Sequence, residues 1–460
     1  MNIKDPIKNL LGTQGSFRRN SLIMSSGSII NIIVAFLLTP IVTRLYTKEE
    51  FGVFYIYASI VAIGTILING MYPHAFVVPK FQRAFIALLK FCLSITFLGV
   101  AIFTVILVFF GKWFLELIGG HDLYALWYLL PIGLLVSALN VIFINWNVRR
   151  KEFKRNASSQ VVMSSSRKGI EILHGVTLGG IFSGLIYADM ISKFLGTLTL
   201  GTNNIFRDFK KFKVVTFSDQ KEVLKEFRKY PTYIMGSNFL NKITSDIPLY
   251  LLAFGFGDGA VGAFGFANQM LNIPITVIGN SIAPVYFQRA NELYLNNPES
   301  LRKFTLTTYT KMLIVGSLTF GLIFGFGDVL FSFVFSNDWE LAGQFAMILS
   351  AYYVFKLISS PFARIFRVLR IEEKTLLVNI VLAGSRVLGI TIGINTGSLI
   401  PAIICFTIGS AFGYMFNNVQ VFIALGISFK EFLWKTFIII MPIYGAFYCA
   451  RFITNNFQGL

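Results

Sequence analysis

The feature that most constrains the fold is a long apolar stretch near the N-terminus. From Leu22 to Val42 there is no charged residue, and a second apolar run begins at Phe51 after a short polar turn. About 20 apolar residues in an α-helix span the roughly 30 Å hydrocarbon core of a bilayer. The stretch is therefore predicted to be a transmembrane helix, and Pro40 is expected to bend it because proline removes a helix hydrogen bond.

Similar apolar segments recur along the whole chain. With 55% hydrophobic and only 13% charged residues, the sequence is too apolar for a soluble protein of 460 residues. We predict an all-α polytopic membrane protein with about 12 to 14 transmembrane helices. The apolar segments fall at residues 21–43, 51–72, 85–110, 123–147, 156–177, 180–200, 231–254, 260–287, 304–326, 341–366, 374–394, 399–424 and 433–452.

Lysine and arginine are distributed unevenly between the connecting loops. If the N-terminus is cytoplasmic, about 28 of them lie on the cytoplasmic side, and only Arg44, Lys48, Lys112 and Arg451 lie outside. An excess of positive charge is typical of cytoplasmic loops. The bias predicts a cytoplasmic N-terminus. It also accounts for the net charge of +18 without a nucleic-acid partner.

This topology divides the chain into five parts. An odd number of spans would leave the C-terminus outside. No cleavable signal is expected, because the first apolar run is long and lacks a small-residue cleavage site. The parts are a cytoplasmic N-terminal segment at 1–20, a six-helix bundle at 21–200, a cytoplasmic amphipathic linker at 201–230, a second six-helix bundle at 231–425 and an additional transmembrane helix at 426–460.

The linker is rich in lysine and phenylalanine. Residues 218–230 predict a helix that is capped by Ser218 or Asp219 and has its apolar side chains on one face. Two compatible interpretations remain: the helix lies on the anionic cytoplasmic leaflet, or it only joins the two halves of the chain.

A weak repeat relates the six spans before the linker to the six after it. Pro40, followed by Gly52-Val53-Phe54, is echoed by Pro248, followed by Gly262-Ala263-Phe264. Internal repeats with a binding site at their interface are a common plan of secondary transporters. We therefore expect two six-helix bundles around a central cavity.

Two motifs carry a resemblance to a known family. They are Thr39-Pro40-x-x-Thr43-Arg44-Leu45-Tyr46-Thr47-x-x-Glu50-Phe51-Gly52-Val53-Phe54 and Ala75-Phe76-Val77-Val78-Pro79. The chain resembles polysaccharide transporters, including the O-antigen flippases, of the multidrug/oligosaccharidyl-lipid/polysaccharide (MOP) exporter superfamily. The resemblance implies 12 core helices and often two more, a location in the cytoplasmic (inner) membrane of a bacterium, and a substrate carried on polyprenyl pyrophosphate. A polysaccharide polymerase or chain-length regulator becomes a plausible partner, besides membrane lipids.

Ionisable residues within the predicted spans are the strongest pointers to a site, because a charge at bilayer depth is normally kept only where it faces protein or water. The segment at 156–177 is the most polar span. It is expected to line a water-filled cavity, although a cytoplasmic loop helix would also fit. Three pairs of opposite charge lie four residues apart, which places both partners on one helix face. These pairs are Arg167 with Glu171, Asp189 with Lys193, and Lys242 with Asp246.

Four cations lack an obvious acidic partner nearby in sequence: Lys168, Lys356, Arg386 and, at the outer end of the first helix, Arg44. The predicted cavity is net positive and suits an anionic headgroup, since Arg binds phosphate oxygens in pairs and Lys acts as a point charge. We assign Arg386, Lys168 and Lys242 to the headgroup. Arg167, Lys193, Lys356 and Arg44 are further candidates. The carboxylates Asp189, Asp246 and Glu171 are candidates for ion coupling or for charge pairing, and each cation also has the alternatives of snorkelling or structural pairing.

The leading hypothesis is a flippase for a polyprenyl-pyrophosphate-linked oligosaccharide that serves O-antigen, capsule or related polysaccharide synthesis by alternating access. A cation-coupled multidrug antiporter of the same superfamily is the first alternative, and a membrane polysaccharide polymerase or ligase is the second. The sequence has no HExxH, CxxC or phosphate-binding loop, so no metal, cofactor or catalytic residue is predicted.

Overall fold

The computed structural model describes residues 32, 34–201, 203–362, 364–371 and 373–457. These residues are almost entirely helical and contain no β-strand. The predicted N-terminal segment at 1–20 and the first part of the first predicted span lie outside the described residues. Within the described residues, helices occupy the segments that the apolar pattern predicts.

Nine helices in the described part of the chain are long and apolar enough to cross a membrane. They run through the predicted segments from 51–72 to 123–147 and from 260–287 to 433–452. The segments at 156–177, 180–200 and 231–254 also form helices. The number of helices that cross the membrane, and two bundles around a central cavity, stay predictions.

The described chain separates into two units. Within the described residues, the first comprises the chain up to residue 46 and residues 56–239, and the second comprises residues 47–55 and the chain from residue 240 onward. The long helices that follow the N-terminus of the first unit are α1 (Val34–Leu45), α2 (Lys48–Asn69), α3 (Gln82–Leu117), α4 (Leu129–Arg149), α5 (Phe153–Leu178) and α6 (Phe182–Leu200), and its linker contains α7 (Asn203–Lys210) and α8 (Phe217–Glu226).

The second half of helix α5 has an inverted distribution of polarity. Its charged residues Lys168 and Glu171 are 6% and 1% exposed, whereas Leu173 and Val176 are 65% and 69% exposed. Charged side chains turned inward and apolar side chains turned outward are expected of a helix that faces lipid. At 26 residues, or about 39 Å, the helix is also long enough to span a bilayer. The pattern favours a transmembrane helix over a cytoplasmic loop helix.

The linker of the first unit contains the predicted helix, with a different cap. Helix α8 begins at Phe217, and Thr216 is its N-cap: the Thr216 hydroxyl accepts from the Asp219 amide, and the Asp219 carboxylate accepts from the Thr216 amide. The prediction of Ser218 or Asp219 as the cap is therefore wrong. Asp219 is instead the third residue of a reciprocal capping box, which stabilises the first turn by satisfying two free amides.

The second unit is built from longer helices and several short turns. Besides the first residues of α2, its helices are α9 (Gly236–Phe256, from residue 240), α10 (Asp258–Pro274), α11 (Asn280–Asn296), α12 (Pro298–Phe335), α13 (Glu340–Phe362), α14 (Ile365–Val368), α15 (Glu373–Ile394), α16 (Leu399–Ala424) and α17 (Phe429–Phe457).

The repeated Gly-x-Phe motifs meet inside this second unit. A methyl group on Gly52 would overlap the carbonyl oxygen of Asp258, and one on Gly262 would overlap the carbonyl oxygen of Lys48. Only glycine permits such a close approach of two helix backbones. The repeat seen in the sequence thus corresponds to a tight crossing of the start of α2 with the start of α10.

Candidate functional site

The first unit contains a cluster of five charged side chains on α5 and α6. Arg167 Nε lies 2.8 Å from Glu171 Oε1, and Lys193 Nζ lies 2.6 Å from Asp189 Oδ2. Both predicted pairs are therefore confirmed. Arg167 also joins the two helices, since its Nη1 lies 3.6 Å from Asp189 Oδ1. Lys168 completes the cluster.

Lys168 differs from its prediction. Its Nζ lies 2.7 Å from Glu171 Oε2, so the expectation that it lacks a local acidic partner is wrong. The two residues are three positions apart, a spacing that also places side chains on one helix face. Glu171 thus binds two cations with its two oxygens, and the cluster as a whole has three cations and two carboxylates.

The second unit holds the third predicted pair on α9. Lys242 Nζ lies 2.6 Å from Asp246 Oδ2, and the Asp246 side chain is 10% exposed. The pair is confirmed. Its positive charge is largely offset by the carboxylate, so Lys242 contributes less net charge to a site than the sequence implied.

Arg386, on α15, is buried without a carboxylate. It is 5% exposed. Its Nη2 donates to the Tyr414 hydroxyl at 2.7 Å, its Nη1 donates to the Ser245 hydroxyl at 3.2 Å, and its guanidinium carbon lies 5.1 Å from the centre of the Tyr414 ring. Its Nε is buried and has no hydrogen-bond partner among the described residues. Buried donors in this state are a minority in proteins, and Arg150 Nε in the first unit is another among the described residues.

Lys356, on α13, is held in a similar way. Its Nζ donates to Asn272 Oδ1 at 2.7 Å and lies 4.5 Å from the centre of the Tyr353 ring. An amide oxygen and an aromatic face stabilise a cation without neutralising it. Within the described residues, neither Lys356 nor Arg386 has a carboxylate oxygen within the 4.0 Å of an ion pair.

A chain of tyrosines connects the two cations. Tyr414 stacks on Tyr352 with the ring planes 3° apart, and Tyr352 packs against Tyr353 with the ring centres 4.6 Å apart. The Tyr353 hydroxyl donates to Asn268 Oδ1 at 2.7 Å, and the Asn272 amide donates to the Tyr353 hydroxyl at 3.0 Å. We call Ser245, Asn268, Asn272, Tyr352, Tyr353, Lys356, Arg386 and Tyr414 the tyrosine site.

The sequence contained two signals for the tyrosine site that hydropathy does not detect. Asn268 and Asn272 lie four residues apart in an apolar helix, which puts two amides on one face of α10. Tyr352 and Tyr353 lie four and three residues before Lys356, which is about one turn of α13. Their role depends on contacts between distant helices, so charge spacing within one helix cannot identify it.

Arg44 lies apart from these contacts. The side chain is exposed, and its Nη1 donates to the carbonyl oxygen of Pro40 at 2.7 Å, one turn earlier in α1. The guanidinium therefore uses a backbone carbonyl of its own helix as a partner.

Comparison with known proteins identifies the family. Residues 17–289, more than half of the chain, match the family described as polysaccharide biosynthesis protein. The chain belongs to this family. The predicted family resemblance is thereby confirmed, and the all-α, multi-pass membrane character of the protein agrees with it.

One curated relative of this family member is the succinoglycan biosynthesis transport protein ExoT of Rhizobium meliloti (strain 1021). The two are 22% identical over 311 residues, which are 67% of this chain and 60% of the relative. The chain thus matches less than two thirds of the length of that relative.

Solved structures share the fold of this polysaccharide biosynthesis protein. The lipid II flippase MurJ, in an inward closed conformation, has a TM-score of 0.69 and 14% identity, with 94% of this chain and 98% of that chain covered. An inward-facing multidrug resistance MATE transporter of the MOP superfamily has a TM-score of 0.64 and 14% identity, with 87% and 99% covered. At this identity the similarity concerns the fold alone.

Proposed function

We propose that this protein is a flippase that moves a polyprenyl-pyrophosphate-linked oligosaccharide across the cytoplasmic membrane by alternating access. The observation that carries the proposal is the pair of cations, Arg386 and Lys356, that the tyrosine site holds without a carboxylate. Buried charge is costly unless it is paired or functional. An anionic ligand supplies the missing compensation.

The donors of the tyrosine site suit a pyrophosphate group. The buried Nε of Arg386 is free of protein acceptors among the described residues, and the Lys356 ammonium has donors beyond its bond to Asn272. A guanidinium and an ammonium bind phosphate oxygens by charge-assisted hydrogen bonds, which are about twice as strong as neutral ones. The half-buried Tyr414 ring and the half-buried Asn268 and Asn272 amides offer the stacking and hydrogen bonding that a neutral sugar requires.

The other predicted cations take a secondary place in this proposal. Lys168 and Lys242 each lie close to a carboxylate, and so do Arg167 and Lys193. An anion can bind them only by competing with that carboxylate. We therefore place the headgroup first on Arg386 and Lys356, and propose that the carboxylates Glu171, Asp189 and Asp246 serve charge pairing or ion coupling.

The family and its relatives support a role in polysaccharide export. The proposed setting is a bacterial inner membrane with the N-terminus in the cytoplasm, in the synthesis of O-antigen, capsule or a related polymer, where a polymerase or chain-length regulator would take up the product. A multidrug antiporter is the main alternative because MATE transporters share the fold. The uncompensated cations of the tyrosine site oppose a cationic drug as substrate, since like charges repel in a medium of low dielectric constant.

The test is translocation in sealed liposomes. The purified protein is reconstituted with a fluorescent polyprenyl-pyrophosphate oligosaccharide, and headgroup transfer is scored for the wild type, Arg386→Ala, Lys356→Ala and the control Arg289→Ala. Arg289 is exposed and pairs with Glu292 on its own helix. We expect transport by the wild type and the control, and a loss of roughly 10- to 100-fold in the two site variants, because one charge-assisted contact is worth about 1.5–3 kcal/mol.

Three results would separate the alternatives. Equal transport by all four proteins would retain the flippase and reject the tyrosine site. Extrusion of cationic dyes without lipid transfer would replace the flippase with the multidrug antiporter. Conversion of the substrate to a longer polymer would indicate the polymerase.

A further inference from the structure

The linker of the first unit is fixed from one side. Asp208 on α7 is fully buried, and its carboxylate accepts from Trp146 Nε1 at 3.2 Å, from Gln82 Nε2 at 3.3 Å and from Arg150. The Lys90 ammonium donates to two linker carbonyl oxygens at 3.1 and 3.2 Å. Buried charge-assisted bonds of this kind hold a segment in one geometry.

Apolar packing strengthens the same attachment. Val215, Val223 and Phe227 of the linker are 5%, 3% and 5% exposed and belong to one hydrophobic cluster with side chains of α3 and α4. Arg83 on α3 adds an ion pair with Asp219 at 2.9 Å. These contacts determine which side of the linker faces the protein, so the opposite side is available to another surface.

The exposed side chains of the linker are mostly basic. Within residues 207–229 of the described chain, eight lysine and arginine side chains are exposed and only two carboxylates, Glu222 and Glu226, are exposed. Asp208 and Asp219 are turned toward the protein. The exposed cations are Arg207, Lys210, Lys211, Lys213, Lys221, Lys225, Arg228 and Lys229.

Two apolar side chains of the linker are exposed among these cations. Val214 is 67% exposed and Phe217 is 82% exposed, whereas Val215, Val223 and Phe227 of the same linker are buried. Lysines at 210, 213 and 221 flank them in sequence. Exposed apolar side chains among lysines are typical of segments that lie in the headgroup region of a bilayer, where the ring enters the acyl boundary and the cations contact anionic lipids.

We propose that the exposed side of the linker, centred on Lys210, Lys213, Val214, Phe217 and Lys221, docks on the anionic lipid headgroups of the membrane that contains the protein. This commits the surface to lipid rather than to an acidic protein, because Val214 and Phe217 add an apolar insertion to the charge complementarity. Since the other side of the linker is fixed to α3 and α4, docking ties the first unit to the membrane surface. The proposal does not depend on the transported substrate.

The test places a fluorescent reporter at the centre of this surface. Phe217→Cys is labelled with an environment-sensitive fluorophore in a Cys405→Ala, Cys449→Ala background, in which the remaining Cys92 is fully buried. The full-length protein is placed in nanodiscs of phosphatidylcholine alone or mixed with phosphatidylglycerol. The control position is a Glu226→Cys label, nine residues or about 2.5 turns further along α8 and therefore on the opposite face of that helix.

We expect a blue shift and protection from aqueous iodide at position 217 in the anionic nanodiscs only, reversed by high salt because salt screens exposed charge. Replacing Lys210, Lys213 and Lys221 by glutamine should reduce the docking constant roughly 100-fold. The matched control replaces the exposed Lys80, Lys154 and Lys303 by glutamine.

Several outcomes would overturn the proposal. Identical spectra in neutral and anionic nanodiscs would show that the linker does not dock on lipid charge. Equal effects of the two triple variants would show that the linker lysines have no special role. Protection that appears only when an acidic protein partner is added would assign the surface to that partner. The fluorescence measurements do not require lipid transport, so their outcome would stand even if the protein moved no lipid in liposomes.

Discussion

Replacing Glu171 by glutamine should destabilise the first unit strongly. Glu171 is 1% exposed, and its two oxygens lie 2.7 and 2.8 Å from Lys168 and Arg167. The substitution keeps the side-chain shape but removes the negative charge, so the buried Lys168 ammonium loses its counter-charge. Breaking a buried pair from one side costs about 3–5 kcal/mol. Arg167 contributes less to this cost, because it keeps its ion pair with Asp189.

Replacing the partner cation, Lys168, should destabilise the first unit less. Lys168→Met leaves Glu171 paired with Arg167 and reduces the cluster to two cations and two carboxylates. We expect a cost of about 1–2 kcal/mol from the lost bond. The double variant Lys168→Met, Glu171→Leu removes both charges, and such apolar replacements of buried pairs are often neutral or stabilising. The double variant should therefore be more stable than Glu171→Gln.

Cys92 provides the assay. It is a fully buried thiol of the first unit, and replacing Cys405 and Cys449 by alanine leaves it as the only cysteine. A thiol-reactive dye then reports unfolding of that unit in detergent during heating. For a unit of this size, 3–5 kcal/mol corresponds to a fall in Tm of roughly 6–20 °C. A fall below about 2 °C for Glu171→Gln, or a double variant no more stable than it, would refute the reasoning.

Transport by the double variant then separates two roles of the cluster. If the charges serve pairing alone, the double variant recovers both Tm and lipid transport. If Glu171 or Lys168 binds the headgroup or a coupling ion, the double variant recovers Tm but stays inactive. The two alternatives that the sequence left open thus give opposite results in one protein.

Three further predictions concern packing and the linker. Gly262→Ala should lower Tm, because its new methyl group overlaps a backbone carbonyl of α2, whereas Gly445→Ala, which meets nothing within 4 Å, should not. Lys90→Met should make the linker more sensitive to limited proteolysis, because two linker carbonyls lose their donor. Hydrogen bonds from Arg83 and Thr216 lower the pKa of Asp219, so the carboxylate's contribution is complete above its unfolded-state pKa and is lost as pH falls through the folded one. Hydrogen exchange of the α8 amides should therefore lose protection as the pH falls below about 4, and an Arg83→Gln variant should have less protection above that pH and a smaller loss below it.

Local charge pairs were predictable because helix geometry is nearly constant. Residues four positions apart face the same side of any α-helix, so Arg167 with Glu171 and Lys242 with Asp246 follow from sequence alone. Lys168 was misassigned because the prediction considered only that spacing and not the equivalent spacing of three residues. The N-cap of α8 was misplaced by two or three residues for a related reason: several polar residues near a helix start can fill the role, and only the observed hydrogen bonds decide between them.

Long-range polar contacts were not predictable. Asp208 belongs to no recognisable sequence pattern, yet its carboxylate accepts hydrogen bonds from Gln82 and Trp146, which lie more than 60 residues away in sequence. Tyr352 and Tyr414 resemble ordinary core aromatics in a chain with 18 tyrosines, and their importance depends on the position of Arg386. Packing between distant helices, rather than periodicity within one helix, creates these arrangements.

The two charge clusters differ in a way that bears on function. In the first unit, Glu171 and Asp189 already compensate most of the positive charge, so an added anion gains little there and must displace a bond of 2.6–2.8 Å. In the second unit, hydroxyl and amide oxygens orient Arg386 and Lys356 but leave both charges in place. Such oxygens satisfy some donors, fix the geometry in advance and reserve the charge for a ligand. For that reason the tyrosine site, and not the larger cluster on α5 and α6, is where an anionic headgroup gains the most free energy on binding.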